Sequence, residues 1–349
     1  IETPVFMPIG TQGTVKSLTP DEIAATGNRL ILGNTYHLYL RPGLEILQQA
    51  GGLHKFANWP YVILTDSGGY QVFSLSGLRK IHPDGVRFQS HIDGSSHEFT
   101  PENVIEKQRV IGADIMMVLD ECPPYPSTEI YCAESNKLTI AWAQRCKAAW
   151  EKQEPLYGYE QALFGIVQGG IYPHLRELSA RQLIDVDFPG YAIGGLAVGE
   201  PVSLLYEMAG IVNKILPAEK PRYLMGVGKP DNLVESVRLG VDMFDCVIPT
   251  RNGRKGQAFT WQGTVNLRNT KFKNYFEPIE YDCPCYTCTN FTCAYLRHLF
   301  QAGELLGMRL VSLHNIHFFY TFMRQMRDAI LDDRFEEWRG RFYRNYRAT

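Results

Sequence analysis

Eight short apolar runs recur along the chain, and most of them end in a glycine or a polar residue. Runs of this length, bounded by turn residues, are typical of buried strands. Between them lie longer segments in which apolar residues are interleaved with charged ones. The eight runs are Val5–Gly10, Leu30–Thr35, Val62–Gly69, Asp114–Cys122, Leu163–Gly170, Tyr191–Gly199, Arg222–Gly228 and Met243–Arg251.

The segments between the runs carry the start signals of helices. Thr19 and Thr100 each precede a proline and an acidic residue, which predicts a capped first turn. Residues 127–153 predict one long helix. Strands that alternate with helices favour a parallel sheet with right-handed crossovers. Eight such units predict an α/β fold, a closed (β/α)₈ barrel, whose site lies at the C-terminal ends of the strands.

Two stretches interrupt this alternation. Residues 75–100 contain Asp84-Gly85 and Asp93-Gly94 turns between short alternating runs, which predicts a β-hairpin or small sheet over the barrel mouth. Residues 253–315 hold a cysteine cluster. We therefore expect three units: a barrel over 1–252 with its hairpin insertion, a cysteine-containing insertion over 253–315, and helices packed on the barrel over 316–349.

The composition changes this interpretation little. Of the 349 residues, 45% are hydrophobic and 21% are charged, and the net charge is −2, so nucleic-acid binding requires a local basic patch. No stretch approaches the roughly 18 apolar residues of a membrane span. The eight cysteines form no regular disulfide framework, which favours a reducing cytoplasm.

One carboxylate, Asp245, lies inside the last apolar run. A buried carboxylate costs free energy unless it is paired or used. From Cys246 to Phe276 the chain has no Asp or Glu but six Lys or Arg. Our hypothesis is a nucleophile beside a surface that binds a polyanion, and the alternative is a core aspartate before a solvated basic loop.

Other carboxylates lie late in the runs, at Asp66 and Asp120, and Glu200 follows a further run. Two carboxylates that face one sugar suit glycosidic chemistry, because one attacks the anomeric carbon while the other moves a proton. The alternative for each is a loop cap or a structural ion pair. Tyr70 follows a Gly-Gly pair and could stack on a planar ring. The glycine pairs lack the GxGxxG spacing of a dinucleotide site.

The spacing Cys283-x-Cys285-x-x-Cys288 indicates a metal site. Three thiolates this close reach one tetrahedral Zn²⁺ if a fourth ligand comes from elsewhere, and such a closed site stabilises the fold rather than catalysing a reaction. Spacing alone leaves four candidates for that ligand: Cys293, His298, His314 and His317.

Several segments resemble the tRNA-guanine transglycosylase (queuine tRNA-ribosyltransferase) family, in order from Pro4 to past Asn315. They are ILGNTYHLYLRPG, LTDSGGYQVFSL, LFGIVQGG, YAIGGLAVGE, YLMGVG, MFDCVIPTRNGR and CPCYTC followed by HNI. The resemblance implies a (β/α)₈ barrel with a zinc-binding insertion. It also implies exchange of the wobble guanine of tRNA for a 7-deazaguanine on the way to queuosine, without ATP or a redox cofactor.

The resemblance also implies roles for individual residues. Asp245 matches the nucleophile and Asp66 the general acid/base. Residues that match the base-binding set are Tyr70, Asp120, Cys122, Gln168, Gly194, Gly195, Leu196, Val198, Glu200 and Met225. Residues that match the tRNA-binding set are Lys229, Arg251, Arg254, Lys255, Arg268 and Lys271. The ligands of one structural Zn²⁺ are Cys283, Cys285, Cys288 and His314.

Two positions resemble the bacterial branch of the family, which inserts 7-aminomethyl-7-deazaguanine. They are Val198 and Cys122, and Glu200 is the expected charge partner of the amine. The resemblance further implies a cytoplasmic homodimer and a short segment upstream of Ile1. Two other functions compete. A non-catalytic tRNA-binding subunit is disfavoured by the presence of Asp66 and Asp245, and a zinc-dependent hydrolase by the cysteine-rich metal set.

Overall fold

The structure, a computed structural model, describes residues 1–74 and 79–346. Residues 75–78 of the expected hairpin and 347–349 of the expected C-terminal helices lie outside the described residues. Over the described ranges the chain forms thirteen strands. They are β1 (Val5–Met7), β2 (Leu30–Gly33), β3 (Val62–Thr65), β4 (Arg79–His82), β5 (Gly85–Gln89), β6 (Ser96–Phe99), β7 (Ile115–Met117), β8 (Ala162–Val167), β9 (Gly190–Ile193), β10 (Arg222–Leu224), β11 (Met243–Asp245), β12 (Gln257–Thr260) and β13 (Gly263–Asn266).

The same residues form fifteen α-helices and one short 3₁₀ helix, Thr270–Phe272. None of these helices combines the length and hydropathy needed to cross a membrane. The α-helices are α1 (Pro20–Ala25), α2 (Thr35–Leu40), α3 (Leu44–Ala50), α4 (Leu53–Phe56), α5 (Gly69–Ser74), α6 (Pro101–Ile111), α7 (Glu129–Lys152), α8 (Pro173–Val186), α9 (Val202–Asn213), α10 (Pro230–Arg238), α11 (Ile248–Arg254), α12 (Tyr286–Asn290), α13 (Cys293–Ala302), α14 (Leu305–Leu331) and α15 (Phe335–Asn345).

Eight parallel strands form a nearly closed barrel. Their hydrogen-bonded order is β2, β3, β7, β8, β9, β10, β11 and β1. Strand β1 pairs with β11, which places Met7 beside Asp245, and a single parallel bridge between Ile9 and Leu32 brings the end of β1 round to β2. Each barrel strand coincides with one of the eight apolar runs, and β8 and β9 begin one residue before their runs. The α/β barrel fold predicted from the sequence is therefore confirmed.

Local chemistry explains where the barrel elements begin. Thr19 caps α1 and Thr100 caps α6, each through a reciprocal capping box that satisfies amides at the helix start. The barrel strands are covered on both faces, by helices outside and by packed side chains inside, so they read as continuous apolar runs. Phe244 and Leu224, for example, are completely buried.

The insertion after α5 is a small antiparallel sheet of β4, β5 and β6. It is attached to the barrel helices by side-chain hydrogen bonds. Trp142 Nε1 on α7 donates to the Pro83 carbonyl over 2.8 Å. Tyr36 on α2 bonds with His91 Nδ1 over 2.7 Å. The expected hairpin is therefore a three-stranded sheet beside the mouth, over its described residues.

The chain between α11 and α14 folds around a second, smaller apolar core. It consists of the β12–β13 hairpin, the 3₁₀ helix and α12–α13, with Ala258, Leu296 and Val311 fully buried in it. Helix α14 runs unbroken across position 315, where the sequence suggested a boundary. Its Phe319 packs on Phe6 of β1 with ring centroids 4.6 Å apart. One helix thus joins this smaller core to the barrel.

Candidate active site

A cavity of about 380 Å³ opens at the C-terminal ends of the barrel strands. It brings together both predicted catalytic residues and all but one of the predicted base-binding residues. The predicted residues that line it are Asp66, Tyr70, Asp120, Cys122, Gln168, Gly194, Gly195, Leu196, Val198, Met225 and Asp245. The structure thus gathers residues that are far apart in the sequence, as the barrel topology requires.

Asp245 ends strand β11 and is held through one oxygen only. Its Oδ1 accepts hydrogen bonds from the Tyr223 hydroxyl at 2.6 Å and from the Gly226 amide at 2.8 Å. Its Oδ2 accepts none from any described residue. Burial raises the pKa of Asp245, and the two hydrogen bonds partly offset this rise. The arrangement fixes the carboxylate and leaves Oδ2 available for chemistry.

Asp66 follows strand β3 and is more fully bound. Its Oδ2 accepts from Asn34 Nδ2 at 2.5 Å and from Gln71 Nε2 at 2.9 Å. Its Oδ1 accepts from the amides of Thr35 and Gly68. Burial nevertheless dominates and raises the pKa of Asp66 to about 6. A carboxyl with such a pKa is able to give and take a proton near neutral pH.

Asp120 follows strand β7 and faces Gln168 of the β8 end. Gln168 Nε2 donates to Asp120 Oδ2 over 2.7 Å, while Gln168 Oε1 is buried without a hydrogen-bond partner in the described structure. Burial raises the pKa of Asp120 to about 6, with a further rise from Glu121. Burial also raises the pKa of the Cys122 thiol to about 12, so this thiol is neutral.

The loop after β9 forms one wall of the cavity and has an irregular backbone. Gly195 and Ala197 both have positive φ, at 63° and 59°. Glu200 accepts from the amides of Ala197 at 2.5 Å and Val198 at 3.0 Å and does not line the cavity. Glu200 therefore turns toward the loop backbone. Its carboxylate satisfies two loop amides. The expectation that Glu200 borders the base pocket stays a prediction.

Four further residues shape the site and were missed in the sequence. Asn34 and Gln71 hold Asp66, Tyr223 holds Asp245, and Arg176 binds the carbonyls of Gly194 and Gly195. The register β10–β11 places Tyr223 beside Met243 and hence near Asp245. A tyrosine two positions before the predicted Met225 was the available signal for Tyr223. Nothing in the sequence pattern marked Arg176.

The predicted tRNA-binding residues lie outside the cavity. Arg251 is exposed on α11, one turn after Val247, which does line the cavity. Lys229 is exposed at the start of α10. The remaining four lie at the end of α11 or after it. Arg254 is partly buried, and Lys255, Arg268 and Lys271 are exposed.

Cys283, Cys285, Cys288 and His314 form a structural zinc site. Their ligand atoms all lie within 4.8 Å of one another. The Sγ–Nδ1 distances to His314 are 3.8, 3.5 and 3.4 Å, close to the edge of about 3.6 Å that tetrahedral Zn–S and Zn–N bonds give. His314 Nε2 bonds the Phe259 carbonyl over 2.8 Å, which leaves Nδ1 free of a proton and able to ligate.

The fold and the site together define a class: a (β/α)₈ barrel enzyme with a carboxylate-lined cavity at its mouth and a structural zinc site in its C-terminal region. A family model described as "Queuine tRNA-ribosyltransferase" matches residues 1–348. The chain belongs to this family.

Similar proteins agree with this assignment. A protein of Thermoanaerobacter pseudethanolicus named queuine tRNA-ribosyltransferase is 56% identical over 346 residues, covering 99% of this chain and 91% of its own length. Proteins of the same name from Caldanaerobacter subterraneus and Desulforamulus reducens are 56% and 53% identical; they cover 99% and 100% of this chain, and the alignments span 91% and 92% of their own lengths.

Proposed function

We propose that this protein is a tRNA-guanine transglycosylase that replaces the wobble guanine of tRNA by 7-aminomethyl-7-deazaguanine. One observation carries the proposal. The carboxylates of Asp245 and Asp66 line a single cavity, and Asp245 keeps one oxygen without a hydrogen bond from the described residues. A free carboxylate oxygen beside a second carboxyl of raised pKa is the equipment of glycosyl transfer.

The first half of the reaction breaks the glycosidic bond. The target nucleotide is turned out of the RNA stack into the cavity. Asp245 Oδ2 forms a bond with C1′ of its ribose while the bond from C1′ to N9 of guanine breaks. Asp66, in its protonated form, gives a proton to the departing base. The RNA remains attached to Asp245 as a ribosyl ester, and neutral guanine leaves.

The second half reverses these roles with a new base. The Asp66 carboxylate takes the proton from N9 of the incoming 7-deazaguanine, and N9 attacks C1′ while the bond to Asp245 breaks. Because the pKa of Asp66 is raised to about 6, both of its protonation states are accessible near neutral pH. General acid–base catalysis of this kind contributes on the order of 10²–10⁴-fold.

Base selection follows from the polar groups around the cavity. The Asp120 carboxylate accepts hydrogen bonds from the N1–H and 2-amino groups of guanine, which adenine does not offer in this arrangement. Burying that carboxylate against a base without these donors leaves it unpaired, so adenine is rejected. Tyr70 and Met225 contact the ring faces. Val198 and Cys122 border the space for the substituent at position 7.

The RNA is held outside the cavity by exposed basic side chains, among them Arg251 and Lys229. Phosphate contacts of this kind weaken steeply as salt concentration rises. The zinc ion takes no part in the chemistry. When bound, it would fasten the smaller core to α14, because His314 lies on that helix. We retain the division into units 1–252, 253–315 and 316–349, with α14 crossing the boundary between the last two.

We also propose a cytoplasmic homodimer. Exposed aromatic rings lie on the smaller core at Tyr281, Tyr286 and Tyr295, with exposed fractions of 71%, 58% and 40%. Tyr286 and Tyr295 both pack on Phe291, with ring centroids 5.8 and 5.5 Å away. Apolar patches of this kind mark protein interfaces. Small-angle scattering at micromolar concentration is expected to give the mass of two chains. A mass of one chain contradicts the dimer.

Incorporation of labelled guanine into an anticodon stem-loop tests the function. Wild type and Asp245→Asn are compared side by side, and each is also run on a denaturing gel. Wild type is expected to give incorporation and a retarded covalent RNA–protein band, and Asp245→Asn to lose both. Tight RNA binding by wild type without exchange overturns the proposal and identifies a non-catalytic tRNA-binding subunit instead.

A further inference from the structure

Arg176 of helix α8 is completely buried beneath the loop that follows β9. Its guanidinium donates hydrogen bonds to four backbone carbonyls. The acceptors are Gly170 at 2.7 Å, Val167 at 3.2 Å, Gly194 at 2.6 Å and Gly195 at 3.0 Å. No carboxylate forms an ion pair with it within residues 1–74 and 79–346. Burying a cation without a carboxylate is costly, which indicates a use that outweighs the cost.

The geometry of the trans peptide gives these bonds a consequence. The carbonyl and the following N–H of a trans peptide point in opposite directions. Because Arg176 holds the carbonyls of Gly194 and Gly195, the amides of Gly195 and Leu196 point away from the guanidinium. Gly195 and Leu196 line the cavity, whereas Arg176 does not. Neither amide donates a hydrogen bond to another described residue.

The Gly195 and Leu196 backbone has little else to fix its orientation, although Glu200 holds the amides of Ala197 and Val198 farther along the loop. Strand β9 ends at Ile193, so Gly195 and Leu196 lie beyond the sheet. Gly195 has a φ of 63°, a conformation that glycine leaves easily. A Cβ at Gly195 would collide with Gln168, so no larger side chain could stiffen the position. The guanidinium therefore supplies the rigidity that the local backbone lacks.

We propose that Arg176 is a positioning residue that directs two amides, those of Gly195 and Leu196, at the exocyclic carbonyl oxygen of the purine base. The inference deepens the proposed function and rests on it. Donors fixed before binding need no reorganisation when the ligand arrives, so they discriminate strongly. Arg176 thus acts on base affinity through the loop and touches neither the base nor the reacting atoms.

Binding of two bases to variants of two buried arginines tests this role. Isothermal calorimetry measures the affinities of the protein for guanine and for 6-thioguanine. The second base keeps N1–H and the 2-amino group but carries a weaker acceptor, sulfur, at position 6. Arg176→Met removes the guanidinium. Arg109→Met is the matched control, because Arg109 is also buried and has no ion pair with any residue that the structure describes. It donates to the Trp150 carbonyl and to Gln161 Oε1. Melting temperatures are recorded for both.

Wild type is expected to prefer guanine to 6-thioguanine. Arg176→Met is expected to weaken guanine binding roughly 10-fold, because one to two directed hydrogen bonds are lost. It is also expected to reduce the ratio of the affinity for guanine to that for 6-thioguanine. Arg109→Met is expected to lower the melting temperature yet keep both affinities within about twofold, as no cavity contact changes. If Arg176→Met fails to fold, Arg176→Lys takes its place. The lysine reaches fewer carbonyls, so this variant is also expected to have a lower ratio of guanine affinity to 6-thioguanine affinity than wild type.

Two results separate the possible failures. If folded Arg176 variants keep the wild-type preference for guanine over 6-thioguanine, Arg176 only stabilises the fold and this inference is overturned. If wild type binds neither base, the proposed function itself fails. An equal loss of guanine affinity in Arg109→Met also overturns the inference, because general destabilisation then accounts for the effect.

Discussion

Removing one hydroxyl group, in Tyr223→Phe, tests how the cavity prepares Asp245. The Tyr223 hydroxyl donates to Asp245 Oδ1 over 2.6 Å, and the Gly226 amide donates to the same oxygen over 2.8 Å. The substitution deletes the first donor and keeps the ring. Hydrogen bonds to a carboxylate favour its ionised form. Without this bond the pKa of Asp245, already raised by burial, is expected to rise further.

The size of the effect follows from the bond that is lost. A hydrogen bond to a charged group contributes about 1.5–3 kcal/mol. One pKa unit corresponds to about 1.4 kcal/mol, so the pKa of Asp245 is expected to rise by roughly one to two units. Only the ionised carboxylate attacks the ribose. The rate should therefore fall roughly 10-fold or more on the acid side and approach the wild-type rate at high pH.

The assay is single-turnover formation of the covalent RNA–protein band between about pH 5 and pH 9, the range in which carboxyls of raised pKa titrate. Tyr206→Phe is the control, because the Tyr206 hydroxyl donates to Asn232 over 2.9 Å and does not line the cavity. Asp66 and Asp120, each with a pKa raised to about 6, titrate in the same range. They are unchanged in both variants, so the difference between the two profiles reports Asp245.

Coincident acid limbs for wild type, Tyr206→Phe and Tyr223→Phe would refute the reasoning. The ionisation of Asp245 would then not limit the rate, and Tyr223 would serve only as packing. A uniform drop at every pH in Tyr223→Phe would also contradict it, since that result indicates a displaced carboxylate rather than a shifted pKa.

Three other changes have expected outcomes. Cys288→Ser should lower the midpoint of thermal unfolding and abolish its response to a chelator, because zinc binding contributes to folding; an unchanged midpoint by scanning fluorimetry would contradict this. Burial opposes protonation of His54, but hydrogen bonds to Asp114 and the Trp59 carbonyl raise its pKa. The stability that this raised pKa contributes is present below about pH 6.5 and is lost as pH rises through the folded-state pKa. His54→Gln should therefore reduce the pH dependence of the free energy of unfolding measured by urea titration; parallel pH profiles of wild type and variant would refute this. Arg251→Ala should reduce the slope of log K for RNA against log salt by roughly 1, measured by filter binding; an unchanged slope would exclude a phosphate contact.

Much of the barrel could be predicted because its strands are buried on both faces. Burial on both sides produces uninterrupted apolar runs, and each of the eight barrel strands matches a predicted run to within one residue at its start. Parallel topology then brings the strand ends together, so Asp66, Asp120 and Asp245 were expected at one mouth before any geometry was known. The fourth zinc ligand, by contrast, came only from the family resemblance, because cysteine spacing does not determine which distant histidine folds back.

Other parts of the site depend on contacts that a sequence pattern does not record. Arg176 lies on a helix, where an arginine is usually solvated. Its burial follows from hydrogen bonds to backbone carbonyls at the end of β8 and just after β9. Tyr223 counts as apolar in a strand pattern, which hides its hydroxyl. Glu200 follows the loop directly, yet its carboxylate turns back to accept hydrogen bonds from the amides of Ala197 and Val198.

The pairing of β1 with β11 determines when the protein becomes competent during its synthesis. These strands lie far apart in the sequence, and Met7 is the register partner of Asp245. A nascent chain leaving the ribosome therefore carries β1 with an unpaired edge until β11 emerges. The strand pairing that closes the barrel is also the pairing that positions Asp245. Partly synthesised chains expose an unpaired strand edge and lack Asp245. Binding of chaperones to such chains should therefore decline once β11 has left the ribosome.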